Sequence, residues 1–407
     1  MSSGASVTAV REGLEHHLAK RERAALDLFG ARADDIAALC HRMAERFARD
    51  GRLIAAGLSP AARSDVRHVS VEFVHPVIVG KRALPALGLA GESGSVTREL
   101  DLVCEAHDIV IAFGEPGDGP ELEAGLAVAR RRGALTIAFA PLGAEWTFVV
   151  PSDDPFIRQE LTETLYHVLW ELVHVFFEHR GLLEGRTERR GHDAGAASFL
   201  YPFLAEREDN LDSVLADVRE SVLMKAREAH ALRAGTLRDG AEDLTRAASA
   251  LRASLDSGGR LLALGNGGSA TDSMDVVADF VGPPPGSGWP GRPALDLCAD
   301  TAIVTAIAND IGPEAIFARQ VIAHGRRGDA LLAFSTSGNS LSVLDALAEA
   351  RRRGLVTVAM VGYDGGRVAA EQLADHVVVT RSQHIPRIQE AQATAYHVLR
   401  ELVEAAA

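Results

Sequence analysis

The chain repeats itself, and that repetition constrains its fold more than any single motif. The stretch DIVIAFGEPGDGPELEAGLAVARRRGALTIAF, beginning at Asp108, aligns without a gap on DALLAFSTSGNSLSVLDALAEARRRGLVTVAM, beginning at Asp329. The shared ARRRG falls at Ala129–Gly133 and again at Ala350–Gly354. TLYHVLWELV from Thr164 matches TAYHVLRELV from Thr394, and DGRLIAAG (Asp50–Gly57) matches GGRLLALG (Gly258–Gly265). The chain therefore reads as a tandem duplication, with domains at 1–184 and 213–407. The segment between them, 185–212, opens with the polar, Gly-rich GRTERRGHDAGAAS and reads as a linker.

Each half follows one order of elements. Helical segments with apolar residues three and four apart come first (Ile36–Phe47; Ala241–Leu255). Short apolar strands then alternate with helices: Arg52–Ala56, Ile109–Phe113 and Leu135–Phe139 in the first half, Arg260–Leu264, Ala330–Phe334 and Val356–Val361 in the second. Continuously apolar strands alternating with helices predict an α/β fold with a parallel sheet covered on both faces. In such folds ligands bind beyond the carboxyl ends of the strands.

Composition narrows the partners. With 42 basic and 56 acidic side chains the net charge is −14, which argues against nucleic acid or an anionic membrane as the main partner. The three cysteines, Cys40, Cys104 and Cys298, are too widely spaced for a CxxC metal motif or a disulfide framework, as suits a reducing cytoplasm. The N-terminus has no apolar core of a signal peptide, and no apolar run reaches the ~18 residues needed to span a bilayer.

Two loops of the second half sit between a strand and a helix, where an anion would bind. GNGGS presents Asn266, Gly267, Gly268 and Ser269, and STSGNS presents hydroxyls at Ser335, Thr336, Ser337 and Ser340. Glycines let consecutive backbone N–H groups approach an anion closely. Either loop alone reads equally well as a plain connector; the pair is harder to dismiss.

GNGGS, AIAND (Ala306–Asp310), STSGNS and RIQE (Arg387–Glu390) together resemble sedoheptulose-7-phosphate (phosphoheptose) isomerase of the sugar isomerase (SIS) domain group, over nearly all of the second half. The resemblance implies two flavodoxin-like αβα sandwich SIS domains, here packed as an internal pseudo-dimer. It also implies a sugar-phosphate substrate, zinc or a similar divalent metal, and a homotetramer, whose four domains a homo-oligomer of the fused chain, a dimer, would reproduce. The phosphate pocket carries over onto Ser269, Ser335, Thr336, Ser337 and Ser340.

The family's metal and catalytic set is a His and a Glu four residues apart on the helix after GNGGS, then a Gln and a His near the C-terminus. In the second half these positions read Asp275, Asp279, Gln389 and His397; both Asp residues depart from the pattern. In the first half they read His68, Glu72, Gln159 and His167, the full set. There the phosphate loops have gone: GLSPAARS (Gly57–Ser64) stands for GNGGS, and GEPGDG (Gly114–Gly119) for STSGNS, with Glu115 and Asp118 set to repel a phosphate.

Ser269 and Asp279 lie ten residues apart, roughly 15 Å along a straight helix, farther than an extended seven-carbon sugar phosphate reaches. The expectation is a divided site, with phosphate held by the second half and metal and base supplied by the first. Gln159 and His167, eight residues apart, stand ~12 Å apart along an ideal helix and meet one metal only by reaching toward each other. Glu72 is assigned as base and His167 as acid of an aldose–ketose isomerisation, with Asp279 and His397 as the reserve pair. The rival readings are a decayed first half with ordinary helix residues, and a non-catalytic SIS module binding sugar phosphate or a protein. Asp300 reads as an active-site residue or a helix N-cap. Trp289, in PPPGSGWPGRP (Pro283–Pro293), reads as a cover for the site or for a core edge.

Overall fold

The computed structural model describes residues 3–77, 81–114, 118–179, 182–183 and 210–405. Most of the expected linker, and Glu115, lie outside the described residues. The chain forms two compact units, Arg23–Glu228 and Met1–Glu22 with Ala229–Ala407, called below the N-terminal and C-terminal units.

The N-terminal unit carries β1 (Leu53–Gly57), α2 (Pro60–Val74), β2 (Ala86–Leu89), α3 (Val96–Val103), β3 (Ile109–Phe113), α4 (Gly119–Arg131), β4 (Leu135–Ala138), β5 (Trp146–Thr147) and α5 (Pro155–Glu178), preceded by most of α1 (Ser3–Ala48). Its sheet has the order β2-β1-β3-β4-β5 with every pair parallel. The C-terminal unit carries most of α6 (Leu211–Asp256), then β6 (Leu261–Leu264), α7 (Gly268–Val281), β7 (Ala294–Asp296), α8 (Thr301–Asp310), α9 (Ile316–His324), β8 (Ala330–Ser335), α10 (Leu341–Arg353), β9 (Val356–Gly362), α11 (Gly366–Ala370), β10 (His376–Thr380) and α12 (Ile385–Ala405). Its order, β7-β6-β8-β9-β10, is the same topology again, also all parallel. The order reverses direction at the first strand of each sheet, β1 and β6, which creates a crevice at the strand ends.

Burial explains why these segments are strands. In β3, Ile109, Ile111 and Phe113 enter one core cluster while Val110 and Ala112 enter the other, so both faces are covered. Ala330, Leu332 and Phe334 divide from Leu331 and Ala333 in the same way in β8. Two details of the duplication have a physical cause. Buried Asp108 and Asp329 each accept the backbone N–H of the arginine that opens the neighbouring first strand, Arg52 and Arg260, at 2.9 Å. The glycine of each RRRG takes a positive φ, +89° at Gly133 and +77° at Gly354, where the chain leaves α4 or α10. Only glycine adopts that backbone cheaply.

The short edge strands β2, β5, β7 and β10 lie beyond the six expected from sequence. β2, β5 and β7 have no fully buried position, so no continuous apolar run marks them. The opening helices are also far longer than the apolar windows Ile36–Phe47 and Ala241–Leu255: α1 and α6 each run 46 residues. No described helix is long and apolar enough to cross a membrane.

Candidate functional site

In the C-terminal unit the two phosphate-type loops follow the adjacent parallel strands β6 and β8. Gly267 caps α7 with φ +60° and ψ −126°, a conformation that side chains resist. A Cβ at Gly265 would stand 2.2 Å from the Ser269 carbonyl oxygen, so that tight turn also requires glycine. Asn266 Nδ2 donates to Ser342 Oγ at 3.0 Å, tying the first loop to the start of α10 behind the second. In the second loop Ser335 Oγ accepts the Gly338 N–H at 3.1 Å, and Ser337 Oγ accepts the Asn339 N–H at 3.1 Å. Ser340 occupies the N-cap of α10 without a side-chain capping bond. Asn266, Gly267, Gly268, Ser269, Ser335, Thr336, Ser337 and Ser340 are thereby gathered on two neighbouring loops.

The rest of the set in this unit is acidic. His397, fully buried on α12, has Nε2 3.7 Å from Asp279 Oδ2 on α7. Asp275 and Asp272 are buried one and two turns earlier, and burial together with Asp275 pushes the Asp272 carboxyl well above its usual range. Gln389 is buried, its Oε1 without a hydrogen-bond partner among the described residues. Asp300 is the N-cap of α8, accepting from Ala302 and Ile303 N–H at 2.9 and 3.0 Å. The Trp289 ring lies against the Arg400 guanidinium, 4.9 Å from ring centre to Cζ, with Phe280 at 4.6 Å, so this tryptophan covers a core edge.

The N-terminal unit assembles a different cluster. The N-caps Ser59 and Asp154, each followed by proline at the first helical position, fix where α2 and α5 begin. His68 and Glu72, one turn apart on α2, then meet Glu163 and His167, one turn apart on α5. His68 Nε2 stands 3.3 Å from His167 Nε2 and 3.9 Å from Glu72 Oε1. On its other side His68 Nδ1 lies 2.9 Å from the Tyr166 hydroxyl and 3.8 Å from Glu163 Oε1. All four of His68, Glu72, Glu163 and His167 are buried. Burial, reinforced by His167, holds His68 well below the usual imidazole value. Burial pushes the Glu72 carboxyl up to about 7, with His167 pulling down and Glu171 adding to the rise.

His68, Glu163 and His167 bring their ligand atoms within 4.8 Å of one another, the one such trio among the described residues. Glu72 Oε2 beside them is buried, with no hydrogen-bond partner among the described residues. Two imidazoles and two carboxylates crowded out of water suit a divalent cation: nitrogen and carboxylate donors, with three ligands and room for a fourth, are the usual zinc set. Gln159, a turn before Glu163, instead lines a pocket at the strand ends, with its Nε2 buried and without a hydrogen-bond partner among the described residues. Glu163 is the residue that reasoning from sequence missed. Its signal was the four-residue spacing Glu163–His167, but the aligned position in the second half is Ala393.

A family model described as SIS domain matches residues 226–362. The phosphoheptose isomerase of Geobacter metallireducens is 45% identical over 157 residues, covering 39% of this chain and 82% of that protein. The phosphoheptose isomerase of Desulfovibrio desulfuricans is 43% identical over 183 residues, 44% of this chain and 84% of its own length. Among solved structures, the C-terminal domain of glucosamine-fructose-6-phosphate aminotransferase from Francisella tularensis covers 95% of this chain and 94% of its own, at 10% identity and TM-score 0.59. Tagatose-6-phosphate ketose/aldose isomerase from Escherichia coli covers 96% and 91%, at 13% identity and TM-score 0.54. At those identities the two structures share the fold alone, and they share it along nearly the whole chain.

Proposed function

The chain belongs to the phosphoheptose isomerase family of SIS-domain proteins, and on that premise we propose that it interconverts an aldose and a ketose phosphate, taking sedoheptulose 7-phosphate to a heptose 7-phosphate in the cytoplasm. The observation that carries the reading is the buried His68–Glu72–Glu163–His167 cluster, in a chain that also keeps both phosphate-type loops.

The reaction needs a base to take a proton from the carbon next to the carbonyl and an acid to return one to its neighbour, through an enediol(ate). Glu72 is the base. Burial raises this carboxyl to about 7 in the metal-free protein, which makes it a stronger base than an exposed carboxylate. His167 is the acid, its ring held by the surrounding helix core and facing His68. Ser269, Ser335, Thr336, Ser337 and Ser340 hold the phosphate. Asp279 and His397 remain the reserve pair.

The metal donors fit zinc or a similar divalent ion: His68, His167 and Glu163, with Glu72 adjacent and Gln159 a turn away. Such an ion supplies polarisation of the substrate's carbonyl and hydroxyl oxygens. With Glu163 as the third ligand, Glu72 keeps its carboxylate for the proton. The chain works as a dimer.

The test is turnover of sedoheptulose 7-phosphate in D2O, followed by NMR. Isomerisation through an enediol(ate) places solvent deuterium at C2 of the aldose product. A second reading, a non-catalytic module that binds the sugar phosphate, draws on Asp275 and Asp279 standing where the other half has His68 and Glu72. It predicts binding without deuterium exchange and no bound metal after purification.

A further inference from the structure

The N-terminal unit has a cavity of about 450 Å³ at the carboxyl ends of its strands, bounded by the first turns of α2, α4 and α5. That volume falls within the ~300–1,000 Å³ usual for small-molecule sites, and the location is where open α/β sheets bind their ligands. We infer that this cavity is a second binding site, and that it takes an uncharged polyhydroxylated ligand, a sugar without its phosphate. The inference shares Gln159 with the proposed metal set, and it is measured by binding, not turnover.

Three observations carry it. First, the anion seat is already filled by the protein. Asp118, at the position of Asn339 in the other half, accepts the Ser59 N–H through Oδ2 at 3.2 Å. Ser59 Oγ in turn accepts the Ala62 N–H, and Pro60 between them has no N–H to give. Two of the loop's donors, the Ser59 and Ala62 amides, thus go to a carboxylate and a cap. In the C-terminal unit Asn339 turns elsewhere, its Oδ1 accepting the Arg367 N–H at 3.0 Å.

Second, the charge of the lining disfavours an anion. Among the described lining residues, Asp65 and Glu123 face the cavity against the one guanidinium of Arg158, which donates to the Ser152 and Asp153 carbonyls at 3.3 and 2.9 Å. Third, the remaining surface suits a sugar. Phe113, Phe139 and Leu142 give an apolar wall for its C–H face. Asp65 offers carboxylate acceptors for hydroxyls, and Gln159 Nε2 is a buried donor with no partner among the described residues. A mostly apolar cavity with a few converging polar groups is the usual form of a site that fixes one orientation of a small ligand.

The experiment uses the full chain carrying Ser337→Ala and Ser340→Ala, so that the other half's phosphate loop contributes little. Unphosphorylated sedoheptulose is titrated by calorimetry and by ligand-observed NMR, with and without inorganic phosphate. Binding at one site per chain is expected, unchanged by phosphate and weakened at least tenfold by Ala61→Phe, which fills the cavity, and by Asp65→Asn. Melting temperature and circular dichroism check that each variant is folded. Adding Asp118→Ala, which removes the acceptor and frees the Ser59 amide, should give phosphate a measurable affinity that the parent lacks. No sugar binding, binding that survives both pocket substitutions, or equal competition by phosphate in the parent would overturn the inference. Each of these results leaves the turnover assay of the isomerase reading untouched.

Discussion

Glu72 supplies a prediction whose size follows from its surroundings. The carboxyl is buried and titrates at about 7 instead of the ordinary 4.5. A pKa raised in the folded state makes a contribution to stability that is fully present below about 4.5 and is lost as pH rises through about 7. A shift from 4.5 to 7 corresponds to about 3.4 kcal/mol at full development, using ~1.36 kcal/mol per unit. Integrated between the two states, about 1.4 kcal/mol has been lost by pH 5.5 and about 3.3 kcal/mol by pH 8. Glu72→Gln removes the titrating group while keeping its shape. In protein stripped of metal by EDTA, the stability of the variant relative to wild type should therefore rise by about 2 kcal/mol between pH 5.5 and pH 8. Urea unfolding at the two pH values, followed through Trp146 and Trp170, measures the difference. A difference that stays flat, or that shrinks as pH rises, would refute the claim that this carboxyl is held desolvated.

Three further outcomes follow from the sites described. Replacing both Ser337 and Ser340 with Ala should raise KM on the order of 10²-fold, since each hydrogen bond to a charged group contributes about 1.5–3 kcal/mol; Asp118→Ala should leave KM nearly unchanged. Glu163→Gln should lower the zinc retained per chain, read by elemental analysis, while Ala393→Glu in the other half should not create a second metal equivalent beside Asp275 and Asp279. Light scattering should give the mass of two chains, and a strict monomer would remove the proposed dimer.

The duplicated topology was legible because central strands buried on both faces leave continuous apolar runs, and because Asp108, Asp329 and the two RRRG glycines hold the same backbone positions in both halves. The edge strands β2 and β7 were not legible: three or four residues, none of them buried, carry no periodic signal. The pair His68 and Glu72 could be read from alignment of the halves, since one helical turn places both on one face. Glu163 could not, because alignment recovers positions whose residue type persists, and Ala393 erased this one. The use of Asp118 was hidden for another reason. Its charge indicates repulsion of a phosphate, but only the folded loop reveals that the carboxylate occupies the Ser59 amide itself.

The account rests on the first half of the chain supplying the proton-transfer groups, and kcat for sedoheptulose 7-phosphate measured side by side in Glu72→Gln and Asp279→Asn tests it most directly. Loss of a general base costs ~10²–10⁴-fold, so Glu72→Gln should lower kcat by at least that lower figure, with KM little changed. Asp279→Asn should cost much less. A chain that Asp279→Asn inactivates and Glu72→Gln leaves within tenfold of wild type would place the chemistry in the C-terminal unit and contradict the account.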